Sequence, residues 1–167
     1  MKHRITRGLL LALALMGTAC NNDFEPKTPK GFVAFDTSYA NRWWQQEDKD
    51  PEYDYRATSP DGVNLAVRRF KNDPQGDVAY WSDAITQRLI AYGTYDLTAS
   101  RDITNHQGHA GREITLRHSA QGSEQLYRIA VYDRKGWLYV IESGGDTQKM
   151  SNWSVALDEA VTGISIN

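Results

Sequence analysis

Residues 127–142, YRIAVYDRKGWLYVIE, carry the clearest strand signal in the sequence. Tyr127, Ile129 and Val131 recur at the period of two that is typical of a strand with one buried face. Residues 133–136 (DRKG) predict a turn, and residues 137–141 (WLYVI) are continuously apolar. Such an apolar run indicates a central strand that is covered on both faces. The stretch therefore predicts an antiparallel hairpin in the middle of a sheet.

Further strands are predicted on both sides of this hairpin. Residues 55–58 and 63–70 flank residues 59–62 (SPDG), where proline fixes φ and glycine takes a positive φ, so the pair predicts a second hairpin. Two more strands are predicted over residues 95–103 and 114–118. Because the links between successive strands are too short for parallel crossovers, we expect an antiparallel meander.

Two amphipathic helices are expected to cover this sheet. The first begins near Asp77, a possible N-cap, and its apolar stripe contains Val78, Trp81, Ile85, Leu89 and Tyr92. Ser151 is predicted to cap the second helix, whose apolar face contains Trp153, Ala156, Leu157, Ala160, Val161 and Ile164. The simplest packing is an α+β domain with a single antiparallel β-sheet and both helices packed on it. No second domain is expected.

The order of these elements resembles the PsbP-like domains, including the bacterial DcrB-like lipoproteins. The resemblance covers residues 32–166 and rests on the turn at residues 59–62, the helix with Trp81 and Leu89, Gly108 and Gly111 before a strand, the strands at residues 127–132 and 137–142, and the closing helix. It implies an α/β/α-type sandwich around an antiparallel sheet and a non-catalytic accessory or binding module. It carries no shared catalytic residues, so we do not expect an enzyme.

The amino-terminal segment predicts a cellular address. A basic stretch with Lys2, Arg4 and Arg7 precedes the short apolar run LLLALALM, which has the shape of a secretory signal. The signal, residues 1–19, ends at Cys20, the only cysteine. This resembles a bacterial lipoprotein signal, in which the cysteine becomes the lipidated first residue. Asn21 follows the cysteine, and the resemblance then favours the outer membrane. Residues 20–30 are predicted to be a flexible tether and residues 31–167 the domain.

Composition excludes several classes of protein. The 167-residue chain has 19 basic and 21 acidic residues, and removal of the three bases of the signal takes the net charge from −2 to −5. An acidic surface repels phosphate backbones, so nucleic-acid binding is not expected. A single cysteine excludes an internal disulfide framework and any Cys-rich metal site. We expect a monomer.

The candidate metal ligands are His106 and His109. Two imidazoles three positions apart in a loop could bind Zn²⁺ or Cu²⁺, with His118 as a third ligand only if the loop folds back. The alternatives are a solvated hairpin loop and, for His118, a hydrogen-bonded packing residue. No metal and no cofactor are therefore assigned.

The candidate partner-contact residues are Trp43, Trp44, Asp48 and Asp50. Adjacent tryptophans in a strand point to opposite faces, so one can be exposed beside the acidic stretch that follows. The alternatives are an aromatic residue that closes a sheet edge and a solvated acidic loop. Asp158 and Glu159 are predicted to be a solvated pair on the outer face of the last helix.

Two functions from different classes remain. The favoured one is a membrane-anchored envelope lipoprotein that binds a protein partner or assists an envelope complex without catalysis. The alternative is a small-ligand or metal-ion carrier in the periplasm, which could use His106 and His109.

Overall fold

The computed structural model describes residues 24–35, 53–93, 95–120 and 122–167. The strands in these residues are β1 (Phe24–Glu25), β2 (Val33–Phe35), β3 (Tyr55–Thr58), β4 (Asn64–Lys71), β5 (Tyr95–Thr104), β6 (Ala110–Ala120), β7 (Ser123–Arg134), β8 (Trp137–Asp146) and β9 (Ser165–Ile166). The helices are α1 (Val78–Gly93), α2 (Thr147–Asn152) and α3 (Ser154–Gly163). The α+β class is confirmed.

The main sheet has seven antiparallel strands in the spatial order β2-β3-β4-β8-β7-β6-β5. Strand β8 lies in the middle, between β4 and β7, as its continuous apolar run predicts. The β7–β8 turn has positive φ at Lys135 (51°) and Gly136 (76°), which is the type I′ geometry that matches the twist of a tight hairpin. The predicted hairpin of β3 and β4 is present too, with Gly62 at φ 90°.

The prediction of a single sheet is wrong, because β1 and β9 form a separate two-stranded sheet. Phe24 pairs with Ile166 and Glu25 with Ser165. Neither strand is long enough to show a period-two pattern, so the pairing leaves no local signal in the sequence. Residues 24–30 therefore differ from the flexible tether expected there. The Thr28 hydroxyl, for example, accepts a hydrogen bond of 2.7 Å from Tyr55.

Helices cover both faces of the main sheet, and each face has its own apolar core. On one face α1 packs its stripe against Ile114, Leu116, Ile129, Val131, Leu138 and Val140. On the other face α2 and α3 pack against residues that alternate with these along the same strands, among them Ala130, Tyr132, Tyr139 and Ile141. The order helix, sheet, helix is the sandwich that the family resemblance implies.

The last helical segment differs from the prediction at its start. Asp146, not Ser151, caps it: the Asp146 carboxylate accepts from the backbone N–H groups of Gln148 and Lys149. The segment is divided into α2 and α3, with Trp153 between them. An acidic side chain beside two free N–H groups is a favourable N-cap, so the earlier start is physically reasonable. At α1 the predicted cap is confirmed, since Asp77 accepts from Tyr80 N–H at 2.7 Å.

Candidate binding surface

Helix α1 leaves part of its sheet face open. It packs mainly on β5, β6 and β7, toward one edge of the sheet, whereas β2 and β3 form the other edge. The cross-strand register places Val33, Thr58 and Asn64 in one row on the α1 face of β2, β3 and β4. Val33 is 63% exposed, and Phe70 on the same face of β4 is 42% exposed. Apolar side chains are thus open to solvent on this part of the sheet.

Two arginines lie over aromatic rings at this open face. The guanidinium carbon of Arg56 is 4.8 Å from the centre of the Tyr53 ring, and that of Arg68 is 5.0 Å from the same ring. Arg68 also lies 5.6 Å from the Phe70 ring centre. We refer to Val33, Tyr53, Arg56, Arg68 and Phe70 as the arginine–aromatic surface. Stacking on a ring holds a guanidinium group in place without removing its charge.

A buried carboxylate fixes one of these arginines. Arg68 Nε donates to Glu142 Oε1 at 2.8 Å, and Glu142 is buried. Burial by itself would lower the pKa of Arg68, but the charge and the hydrogen bond of Glu142, with smaller contributions from Tyr53 and Tyr127, together outweigh it and raise the pKa, so the ion pair stays formed. Burial, followed by the charge and hydrogen bond of Glu142, raises the pKa of Tyr127, which therefore stays a neutral phenol. Sequence reasoning did not identify this cluster.

Arg56 is left as the free cation of the arginine–aromatic surface. It is exposed, and no carboxylate of the described residues forms an ion pair with it. A positive group on a rigid sheet, beside exposed apolar side chains, can bind a partner by charge and by contact area together.

The opposite face of the sheet holds a second charged cluster, which is internal. Arg128 donates to Glu113 through Nε at 3.2 Å and Nη2 at 2.9 Å, and Arg101 Nη2 lies 3.2 Å from Glu113. Both arginines also contact Asp158 on α3. We call Arg101, Glu113, Arg128 and Asp158 the buried ion network, because the side chains of Glu113 and Arg128 are only 3% and 10% exposed.

The prediction that Asp158 is simply solvated is therefore wrong. Burial tends to raise its pKa, but hydrogen bonds from Arg128 and Arg101 outweigh this and hold the pKa below its usual value. The network joins α3 to β5, β6 and β7, so it stabilises the packing of the last helix on the sheet. Its four charges compensate one another, which is typical of a structural cluster.

The candidate metal ligands His106 and His109 lie beside β9. His109 Nε2 is 3.3 Å from the Ile166 carbonyl oxygen, and His106 Nε2 is 3.4 Å from the Ser165 hydroxyl. His118 lies elsewhere, with its ring centre 4.9 Å from that of Tyr95. Within the described ranges, no three side chains of the His, Cys, Asp and Glu types form a group that could hold a metal ion. Whether His106 and His109 bind a metal ion is a question that titration with Zn²⁺ can answer.

Other predicted site residues fall outside the described part of the chain. These are Cys20 and the contact candidates Trp43, Trp44, Asp48 and Asp50. Residues 43–50 belong to the chain that joins β2 to β3, the two strands that carry Val33 and Arg56. In the described ranges, no helix combines the length and the apolar character needed to cross a bilayer.

Comparison with known proteins identifies the fold. Neither the protein-family models nor the curated protein sequences gave a match to this chain. Solved structures do match, and the three described here share 10–12% sequence identity with this chain. Cyanobacterial PsbP (CyanoP) from Synechocystis sp. PCC 6803 is similar with a TM-score of 0.58 at 12% identity, over 96% of this chain and 100% of that one. The fold is therefore PsbP-like.

Two other structures share this fold. LpqN of Mycobacterium tuberculosis, which is involved in cell envelope biogenesis, has a TM-score of 0.60 at 10% identity, over 86% of this chain and 83% of that one. The Ran-binding protein Mog1p of Saccharomyces cerevisiae has a TM-score of 0.55 at 11% identity, over 89% of this chain and 92% of that one. A protein of cell envelope biogenesis and a Ran-binding protein thus share one architecture.

Proposed function

We propose that this protein is a lipid-anchored bacterial envelope lipoprotein whose domain binds a partner protein without catalysis. The lipid is attached to Cys20, and the domain faces the periplasm from the outer membrane. The signal-like segment before Cys20 supports the anchor, and the resemblance to DcrB-like lipoproteins supports the address. The shared fold with an envelope-biogenesis protein and with a Ran-binding protein is compatible with a binding role.

The observation that carries the binding role is the arginine–aromatic surface. Arginine and aromatic side chains are enriched at protein interfaces, and they supply a large part of the binding energy when they become desolvated. Here Arg56 and Phe70 lie on strands of one sheet, and Tyr53 lies just before β3, beside both Arg56 and Arg68. The chain that carries Trp43 and Trp44 joins two strands of the same part of the sheet, so a partner at this surface could also reach those residues.

Photo-crosslinking in intact cells tests this surface. A photoreactive residue replaces Val33 in one variant and Val155 in another. Both valines are exposed (63% and 71%), but Val33 lies on the α1 face of the sheet and Val155 on α3, which covers the opposite face. We expect a discrete crosslinked protein from position 33 and none from position 155. Equal products from both positions, or no product from position 33, would contradict the proposal.

Arg56→Ala provides a second test of the same surface. Because loss of a central interface arginine typically weakens binding strongly, we expect about a tenfold lower crosslinking yield from position 33. The matched control is Arg117→Ala, which removes an exposed arginine from the opposite face of the sheet. An equal decrease in the two variants would show that only overall charge matters.

Cys20→Ser tests the anchor separately. We expect the variant to move from the detergent phase to the aqueous phase on phase separation and to lose incorporation of labelled palmitate. Unchanged partition would contradict lipid attachment at Cys20.

A further inference from the structure

Basic and aromatic side chains meet at the end of the sheet where the β7–β8 turn lies. Trp137 pairs with Lys71 on β4 and with Arg134 on β7, so the three side chains lie in one row on the face that α2 and α3 cover further along. The Lys71 ammonium is 5.5 Å from the Trp137 ring centre, and Lys135 stands at the exposed turn beside them. We call Lys71, Arg134, Lys135 and Trp137 the basic corner.

The cations of the basic corner have no acidic partner among the described residues. Salt bridges in this part of the chain neutralise Arg69, through Asp54 at 3.0 Å, but not Lys71, Arg134 or Lys135. Arg134 Nε is moreover buried without a hydrogen-bond partner, the one such side-chain atom in the described ranges. A buried guanidinium N–H without an acceptor is costly. Because Lys71, Arg134 and Lys135 also lack a carboxylate partner, the surface of this corner favours an anionic ligand. The nearest acids along the chain are Asp133, directly before Arg134, and Asp73, two positions after Lys71, and they offset part of the charge.

The basic corner also lies close to the start of the folded chain. The Phe24 ring is 6.1 Å from the Tyr139 ring, and the Arg69 guanidinium lies 5.1 Å from Phe24. Arg69 and Lys71 are two positions apart on the same face of β4, and Tyr139 and Trp137 are their direct partners on β8. Phe24 therefore lies at the Arg69–Tyr139 pair, and Lys71–Trp137 is the next pair along β4 and β8 on the same face.

This position limits how far the domain can stand from a lipid on Cys20. Four residue steps separate Cys20 from Phe24, and a fully extended chain covers at most about 14 Å over that length. A ten-residue flexible tether would have allowed the domain to turn freely above the membrane. With β1 held in its sheet, the domain can meet the bilayer only with the surface around Phe24.

We propose that the basic corner binds the phosphate groups of anionic phospholipids and so sets the orientation of the anchored domain. This inference rests on the proposed lipid anchor at Cys20. Tryptophan is favoured at the headgroup level of a bilayer, and lysine and arginine are attracted to anionic lipid. The arginine–aromatic surface lies on the other face of the sheet, so it stays open to a partner while the corner is on the membrane.

Headgroup quenching in vesicles tests the orientation. The full acylated protein is reconstituted in vesicles of phosphatidylcholine and phosphatidylglycerol that contain a lipid with a nitroxide on its headgroup. Since Cys20 is the only cysteine and is acylated, a single introduced cysteine can be labelled with a fluorophore. The label replaces Lys71, which leaves Arg134, Lys135 and Trp137 of the corner to bind, and the control label replaces Asn152, an exposed residue of α2 near the far end of β8. We expect strong quenching at position 71 and little at position 152.

Charge variants then test contact with phosphate. Lys135→Gln removes one charge at an exposed turn position, where the substitution does not endanger folding. It should lower the fraction of anchored molecules whose corner contacts the headgroups, measured as quenching at position 71, by about fivefold, and Arg134→Gln should lower this fraction again. Vesicles without phosphatidylglycerol and high salt should have the same effect. Equal quenching at positions 71 and 152, or quenching at position 71 that ignores charge and salt, would overturn the inference. Failure of the wild-type protein to enter vesicles would instead refute the anchor itself.

Discussion

Glu113→Gln tests how much the buried ion network contributes to stability. The substitution keeps the size of the side chain but removes its charge, so two guanidinium groups then face the single carboxylate of Asp158. Breaking a buried ion pair by removal of one partner typically costs 3–5 kcal/mol, and we expect about 3 kcal/mol here because Asp158 still compensates part of the charge. For a domain of this size, that loss lowers Tm by roughly 10 °C.

The neighbouring strands offer a matched control for this experiment. Asp102 on β5 pairs with Arg112 on β6 at 3.0 Å, but the Asp102 side chain is 80% exposed. Exposed pairs contribute less than about 1 kcal/mol, so Asp102→Asn should leave Tm almost unchanged. Urea unfolding followed by circular dichroism gives the free energy of unfolding for both variants. If Glu113→Gln costs no more than Asp102→Asn, burial of the network has no energetic importance and the reasoning is refuted.

Three further predictions concern the packing of the helices and the pH dependence of stability. Gly31→Ala places a Cβ 2.7 Å from the Trp153 ring at φ 91°, so it should lower the free energy of unfolding by about 3 kcal/mol. Gly122→Ala, at φ 83° in open space, is the control and should lower it by only about 1 kcal/mol. Equal losses of stability in denaturant unfolding would exclude a clash at Gly31. Trp81→Ala and Trp153→Ala should each cost about 3 kcal/mol, and a loss below about 1 kcal/mol at both would mean that the helices do not depend on these side chains. Because two arginines lower the pKa of Asp158 in the folded state, its ionised form stabilises the fold above the unfolded pKa of about 4, and this contribution disappears as the pH falls through the lower folded value. Asp158→Asn should therefore cost about 1 kcal/mol at pH 7 and progressively less as the pH falls below about 4, and a difference that does not change with pH would contradict this assignment.

The elements that were predicted from the sequence are those with a local physical signal. The turn at residues 59–62 has proline and glycine at positions where turn geometry requires them, and α1 has both an N-cap at Asp77 and a continuous apolar stripe. The pairing of β1 with β9 has no such signal, because a strand of two residues has no periodicity and its partner is far away in the chain.

Charged clusters were missed for a related reason. Glu113 and Arg128 each look like an ordinary polar residue of a strand, and only the register of β6 and β7 brings their side chains together. The arginine–aromatic surface likewise depends on which part of the sheet α1 leaves open, and the crossing of a helix over a sheet is a property of the whole fold. The contact candidates Trp43 and Trp44 were chosen by residue type and neighbouring charge, and they lie outside the described residues, so they stay predictions.

The pairing of Phe24 with Ile166 has a consequence for how the molecule is made. A polypeptide is synthesised from its amino end, so this pair cannot form until almost the whole described chain has been made. Until β9 is present, the backbone of Phe24 has no strand partner to hold its ring against Tyr139. Closure of such a long loop adds little entropic cost beyond that of a shorter one, but it must come late in time. The pairing of Phe24 and Glu25 with β9 is thus completed late, and under the proposed lipid anchor these two residues are still unpaired when the amino end meets a modifying enzyme.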